Sequence, residues 1–283
     1  MDGYLKVEKG SEVSLSDNAV AVGAVLSDKA SEVKATLSYK DAAVEAVVLA
    51  TLTILESSGE TYRAEDTALR MACALGFDKA EILAFPTGFV LTLTLKNGEI
   101  ISTTKRIAER SLRLDRINEV NSVSRAVVSK ELDAFKALAR LKELRESKSL
   151  GNIKKAFIFA ICAASFTLMF GGGVKEFFIS FAAGFAVQTS MPVYSYLKAP
   201  SLIVSLFSGV LAAGITMALI GLFGGNREPI IAGSIMPMLP GVAMTNAVRD
   251  TMRGDLISGT ARGTDAFLNA LLIAVGVSLV LAI

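Results

Sequence analysis

The residues best suited to chemistry lie in one apolar segment, IIAGSIMPMLPGVAMTNAVRDTMRGDL, at positions 230–256. Proline removes a backbone donor and clashes with the preceding turn, so Pro237, Pro240 and Gly241 predict a break in this segment. Within a membrane, such non-helical backbone is tolerated only against protein or a watery cavity. Transporters use broken helices to present backbone dipoles to substrates and ions. The break is therefore a candidate for substrate binding or gating.

Polar side chains follow the break directly. If the chain resumes as a helix, i, i+3, i+4, i+7 spacing places four of them on one face: Asn246, Arg249, Asp250 and Arg253. Such a face suits the cytoplasmic mouth of a permeation path. Asp250 would be a proton- or charge-coupling group, and Asn246 and Arg249 would contact a carboxylate. A proline kink followed by a charged loop accounts for the same residues, and both interpretations stay open.

A second charged segment, SSGETYRAED, occupies positions 57–66. It carries paired acids and an arginine, among them Glu60, Arg63 and Asp66. No nucleophile and base can be identified in it from their spacing. A solvated helix face with i,i+3 and i,i+4 ion pairs is the ordinary interpretation of such a segment.

Composition excludes several kinds of site. The chain has no histidine, which removes imidazole bases, Ser-His triads and ordinary zinc sites. Its two cysteines, Cys73 and Cys162, suggest neither a disulfide framework nor a metal cluster. No cofactor motif is present. We therefore expect no cofactor, no metal and no enzymatic activity.

Charge is unevenly distributed along the chain. Residues 151–283 hold only 8 of the 29 Lys and Arg residues and 5 of the 27 Asp and Glu residues. The positive and negative charges of residues 1–150 are nearly equal in number, so no basic footprint for nucleic acid appears.

Five successive intervals lack any charged residue: 156–174, 177–197, 199–226, 229–248 and 266–283. Because a helix needs about 20 apolar residues to cross a bilayer, these intervals predict five spans.

Loop cations predict the orientation of the spans. One side carries six cations, Lys154, Lys155, Lys198, Arg249, Arg253 and Arg262, and the other carries two, Lys175 and Arg227. The positive-inside rule puts the richer side in the cytoplasm, and the C-terminus outside. The charged N-terminus, without an apolar h-region, agrees with this orientation.

Inside the bundle, Gln188 and Asn269 are candidates for polar contacts, either between helices or with a ligand.

The N-terminal part predicts a mixed fold. Its expected elements are helices at 41–55, 60–76, 111–126 and 130–147, and a hairpin with a strand at 91–95, an Asn97-Gly98 turn and a return strand at 100–107. Helix 41–55 is short and contains Glu45, so we predict a buried helix and not a sixth span. The fold class is thus a membrane protein. A cytoplasmic α+β domain (1–150, with a poorly defined tail at 1–35) precedes an all-α bundle of five transmembrane helices (151–283).

Several segments together resemble the bacterial threonine/serine exporter family. They are SSGETYRAEDTALRMACALG, FPTG (85–88), VNSVSR (120–125), MLPGVAMTNAVRD (238–250) and GDLISGTAR (254–262). The resemblance runs from about residue 40 to the C-terminus. It implies a multi-pass secondary transporter of the bacterial inner membrane, exporting threonine and serine with the proton gradient. Succinate export is the alternative within the family.

The resemblance also implies a partner. In some members one long chain holds this part and a second membrane part, and in others the two are separate proteins. This chain resembles the first part, so we expect a second small membrane subunit, with self-association left open. The resemblance further makes Glu60, Arg63 and Asp66 candidates for a contact between the cytoplasmic domain and the inner gate. A membrane-tethered regulatory or scaffold protein is the alternative from another class.

Overall fold

The computed structural model describes residues 38–147 and 150–282, and the predicted tail at 1–35 lies outside them. The described chain is mostly helical, with one small sheet. In the N-terminal part the elements are α1 (Tyr39–Glu56), α2 (Thr61–Ala74), β1 (Lys79–Phe85), β2 (Gly88–Thr94), β3 (Ile100–Arg106), α3 (Leu114–Val128) and α4 (Ala134–Glu146). The C-terminal part contains α5 (Asn152–Met169), α6 (Val174–Tyr196), α7 (Ser201–Phe223), α8 (Arg227–Ile235), a 3-10 turn (Met236–Met238), α9 (Gly241–Met252) and α10 (Leu256–Leu281).

Helix α1 is the centre of the N-terminal core. Val47, Ala50 and Ile54 have no exposed surface, and residues from α2, β2, α3 and α4 belong to the same apolar cluster. The helix is long enough to cross a membrane, but it is not among the helices apolar enough to do so, and it holds four charged residues. The prediction of a buried helix is correct.

The sheet has three antiparallel strands in the order β1-β2-β3. The predicted hairpin is β2 and β3, joined by the turn at Asn97 and Gly98, where Gly98 has a φ of +84°. Strand β1 was not predicted. Its sequence, KAEILAF, is rich in helix-forming residues, and it becomes a strand by pairing with β2 from Lys79 opposite Thr94 to Phe85 opposite Gly88.

The C-terminal part has four helices long and apolar enough to cross a membrane: α5, α6, α7 and α10. The segment from α8 to α9 is a fifth candidate, bent by 55°. Five spans are therefore reached when this bent pair counts as one, which agrees with the five predicted intervals. The predicted break also lies in the predicted segment.

The last span differs from the prediction in its bounds. The loop predicted before residue 266 is short, because α10 already begins at Leu256. Arg262 is thus a helical residue and not a loop cation. A helix can be longer than its charge-free interval when it also contains a charged residue that pairs with a neighbouring helix. Arg262 of α10 is such a residue, because it pairs with Asp250.

Small residues bring the membrane helices close together. A Cβ at Gly209 of α7 would lie 2.5 Å from the Ile273 carbonyl of α10, and one at Gly276 would lie 2.2 Å from the Leu206 carbonyl of α7. Each glycine therefore accommodates the backbone of the other helix. At these two glycines α10 packs directly against the backbone of α7.

The turns of the helical part lie at two ends. At one end, Asn226 donates its backbone N–H to Glu176 Oε1 at 3.1 Å, which joins the α5–α6 and α7–α8 turns. At the other end, the α6–α7 turn lines a cavity together with Ser58 of the N-terminal part. Over the residues that the structure describes, the N-terminal part therefore packs against the end of the helical bundle that holds the α6–α7 turn.

Candidate functional site

The break in the bent span follows directly from its prolines. The residue before a proline is driven towards extended backbone, and Leu239, which precedes Pro240, has φ −63° and ψ 136°. Pro240 then precedes the first residue of α9. Pro237 lies within the 3-10 turn, where its missing N–H is tolerated. Gly241 has open space around its Cα, so it does not serve a close contact.

Helices α9 and α10 form a hairpin that brings two charges together. Gly254, with a φ of +91°, makes the turn. A Cβ on Gly259 would lie 2.1 Å from Thr251 Oγ1, so glycine allows the two helices to touch. As a result, Arg262 Nε lies 3.1 Å from Asp250 Oδ2, with 4% and 0% of the two side chains exposed.

The turn between α1 and α2, residues 57–62, lies against this hairpin. The segment after β3 holds its start, because Ser111 donates its N–H to the Glu56 carbonyl at 2.9 Å and Arg113 donates its N–H to the Ser57 carbonyl at 3.4 Å. Ser58 adopts a φ of +61°. A Cβ at Gly59 would meet the Ile54 side chain at 2.6 Å, so glycine is required there. We use the name α1–α2 turn for residues 57–62, which include the first two residues of α2.

The buried Asp250–Arg262 pair is also bonded to the α1–α2 turn. Arg262 Nη2 donates to the Gly59 carbonyl at 2.7 Å, and Thr61 Oγ1 donates to Asp250 Oδ2 at 3.3 Å. Thr61 is the first residue of α2, so the carboxylate lies at the N-terminus of a helix, where negative charge is favoured. The pair therefore joins the N-terminal part to two membrane helices at once.

Three further contacts extend this interface along α9. Asn246 Nδ2 donates to the Ser58 carbonyl at 3.0 Å. The Arg249 guanidinium donates to the buried Glu60 carboxylate, and the guanidinium of Arg253 stacks 3.5 Å from the Tyr62 ring centroid. The predicted polar face of α9 is thus the face that contacts the α1–α2 turn.

The hydrogen bonding of the buried Asp250–Arg262 pair is incomplete. Asp250 Oδ1 and Arg262 Nε are both buried, and neither has a hydrogen-bond partner among the residues that the structure describes. Nε lies within ion-pair distance of Oδ2 but is not aligned to donate to it. Unsatisfied polar groups of this kind cost free energy, about 1–3 kcal/mol each, and such sites often have a function.

The structure separates the residues predicted in the second charged segment. Glu60 contacts Arg249, as described above, and Arg63 pairs with Glu60 at 2.9 Å along their own helix. Asp66 forms an exposed i,i+4 pair with Arg70, away from these contacts. The nearby carboxylate of Glu65 accepts the backbone N–H of Ala84 at 2.8 Å, and burial raises its pKa.

Arg262 is the residue that sequence reasoning missed. It was counted as a loop cation, whereas it lies inside α10. A helix of 26 residues is about 39 Å long, and a bilayer core is about 30 Å thick, so α10 can extend beyond the core. A single charge six residues after the start of so long an apolar helix was the available signal.

The chain is similar to known proteins over most of its length. The family described as "Putative threonine/serine exporter" matches residues 45–283. A curated relative, "Probable succinate transporter subunit YjjP" of Klebsiella aerogenes, is 24% identical over 241 residues, which are 83% of this chain and 92% of that protein. The protein of the same name in Escherichia coli K12 is 25% identical over 251 residues, 86% of this chain and 94% of that protein. No solved structure matches the chain.

Proposed function

Because the chain belongs to the threonine/serine exporter family, we propose that it is one subunit of a secondary exporter for small carboxylate metabolites. In this proposal the proton gradient drives export across the bacterial inner membrane. A second small membrane subunit completes the path. The word "subunit" in the names of both curated relatives supports this partner.

The observation that carries the proposal is the broken span with a charged, buried contact at its end. The α8–α9 pair is bent by 55°, and α9 presents Asn246, Arg249 and Asp250 to the α1–α2 turn. A purely structural span has little need for a break followed by buried ionic contacts. In the proposed exporter this contact is the closed inner gate.

The proposal assigns a role to each residue predicted in and directly after the break. Pro237, Pro240 and Gly241 form the hinge between the two halves of the span. Asn246 and Arg249 hold the gate closed through Ser58 and Glu60. Asp250 is the coupling group, since a proton on its carboxylate would weaken the pair with Arg262.

The orientation of the proposed exporter follows from the loop cations. The N-terminal part lies at the end of the bundle that carries Lys198. The sequence prediction assigns six of the eight cations of residues 151–283 to that end, including Arg249 and Arg262, which lie inside α9 and α10. The positive-inside rule then makes residues 1–150 a cytoplasmic domain, with residues 151–283 as the transmembrane domain. The gate is accordingly cytoplasmic.

Two substrate classes are compatible with the comparisons. The family description favours threonine or serine, and the names of the relatives favour succinate. All three compounds carry a carboxylate, which arginine and helix-end amides both recognise. We place threonine and serine first because the whole family carries that description, with succinate as the alternative.

Exchange of labelled compounds in proteoliposomes tests this function. The vesicles contain the chain alone, or the chain with a small membrane protein encoded beside it. Labelled L-threonine, L-serine and succinate are loaded separately. We expect exchange of one compound only when both subunits are present, accelerated by a proton gradient.

The same measurement distinguishes the alternatives. Exchange by the chain alone would contradict the two-subunit proposal. If a folded complex exchanges none of the three compounds, the exporter proposal for these substrates fails, and a tethered scaffold becomes the better interpretation.

A further inference from the structure

A cavity of about 920 Å³ lies between the N-terminal part and the helical bundle. Its walls come from the segment after β3, the α6–α7 turn, α9 and the first half of α10. It borders the buried ion pair, because Arg262 is one of its lining residues. The cavity is several times larger than a four-carbon metabolite.

The walls of the cavity carry charges of both signs. The cations are Arg110, Lys198 and Arg262, and the anions are Glu109 and Asp265. Arg110 pairs with Asp265 at 3.3 Å, which links the N-terminal part to α10 along the cavity wall. Asn269 accepts a hydrogen bond from Ser205 at 2.6 Å, so its amide is fixed in orientation.

The guanidinium of Arg262 is held in place, although not all of its N–H donors are hydrogen-bonded. Its Nη2 donates to the Gly59 carbonyl, and its Nε faces Asp250 without a hydrogen bond. Within the described residues no acceptor is bonded to its Nη1. A guanidinium binds a carboxylate best through two parallel bonds, and Asp250 does not make that arrangement.

We propose that this cavity binds the carboxylate group of a small metabolite, and that Arg262 is its anchor. The inference rests on the proposed exporter function. It differs from the sequence prediction, which gave the carboxylate contact to Arg249 and Asn246. Both of those side chains are engaged by the α1–α2 turn, whereas Arg262 faces the cavity with unused donor capacity.

The position of Arg262 links binding to the gate. A ligand carboxylate that forms a bidentate pair with Arg262 competes with Asp250 and with the Gly59 carbonyl for the same guanidinium. Loss of the Gly59 contact loosens the α1–α2 turn, so the ligand prefers the state in which that turn has moved. A ligand shifts a conformational equilibrium only through such differential affinity.

Protection of an engineered cysteine tests the inference. Ser195 is exposed near the C-terminal end of α6 and lines the cavity, and Cys73 is exposed on α2 outside it. The complex of Cys162→Ala/Ser195→Cys with its second subunit is treated with a charged maleimide. The rate of modification is measured at each cysteine by peptide mass spectrometry, with Ala199→Cys, on the α6–α7 turn, as a second position lining the cavity.

L-threonine, L-serine and succinate are the probes, and L-threonine amide and succinamide are their matched controls without a carboxylate. We expect one carboxylate to slow modification of Ser195→Cys at least 5-fold and to leave Cys73 unchanged. The amides should give no protection. Arg262→Lys keeps the positive charge but loses the planar guanidinium that can form two parallel bonds with a carboxylate. It should reduce the protection at least 3-fold.

Three outcomes would overturn the inference. If the same complex exchanges a compound that gives no protection at either position, the cavity is not the binding site, although the exporter function stands. If protection is equal for the amide, or unchanged in Arg262→Lys, then Arg262 does not anchor a carboxylate. An absence of both exchange and protection removes this inference together with the proposed function.

Discussion

Arg262→Ala is expected to abolish exchange and to lower the free energy of unfolding by about 3–5 kcal/mol. The reason is that it leaves the fully buried Asp250 carboxylate without its cation. The variant also removes the hydrogen bond to the Gly59 carbonyl, which leaves the α1–α2 turn less tightly held. Unfolding of the complex in detergent and exchange in vesicles measure the two effects.

Two companion variants separate stability from transport. Arg70→Ala removes an arginine from an exposed pair with Asp66, and such pairs contribute about 0–1 kcal/mol, so we expect both readouts to remain near wild type. Asp250→Leu/Arg262→Met replaces the buried pair by apolar groups and should recover most of the lost stability. It should not recover exchange. If it does recover exchange, the charges have only a structural role.

Pro240→Ala is expected to reduce exchange at least 10-fold while the protein stays folded. Without the proline, residue 239 can adopt helical backbone, which allows α8 and α9 to approach a continuous helix. The polar face of α9 would then rotate away from the α1–α2 turn. Exchange rates, together with the distance between spin labels at the ends of α8 and α9, measure this change.

Pro192→Ala is the matched control, because Pro192 also lies in an apolar helix but within the continuous α6. We expect its exchange rate to stay within about 2-fold of wild type. Pro237→Ala should have an intermediate effect, since Pro237 lies in the 3-10 turn and not at the extended residue. Equal exchange by Pro240→Ala and the wild-type protein would show that the break is not a hinge of the transport cycle.

The sequence identified the local features of the site well. Proline chemistry is local, so the break at Pro237 and Pro240 could be predicted from the residue types. The i, i+3, i+4 face of α9 is a helical periodicity, and Asn246 and Asp250 do share the buried side of that helix. Both features depend only on residues that are close together in the sequence, so they could be predicted without knowledge of the fold.

The sequence could not identify the contacts between distant segments. Gly59 and Arg262 are 203 residues apart, and nothing in either segment indicates that they meet. Arg262 resembled a loop cation because its neutralising partner, Asp250, lies on the preceding helix. Strand β1 was missed for a related reason, since KAEILAF acquires its conformation from pairing with β2.

In the proposed exporter, the α1–α2 turn is a gate that separates from α9 during transport. The most direct test joins the two with a reducible bis-thiosulfonate across Tyr62→Cys and Arg253→Cys, whose side chains are in contact, in a Cys73→Ser/Cys162→Ala background. The matched control joins Thr92→Cys to Ser102→Cys, which lie opposite each other within the sheet. We predict that the first cross-link abolishes exchange until it is reduced, and that the second leaves exchange unchanged. Full exchange with the α1–α2 turn cross-linked to α9 would contradict the account.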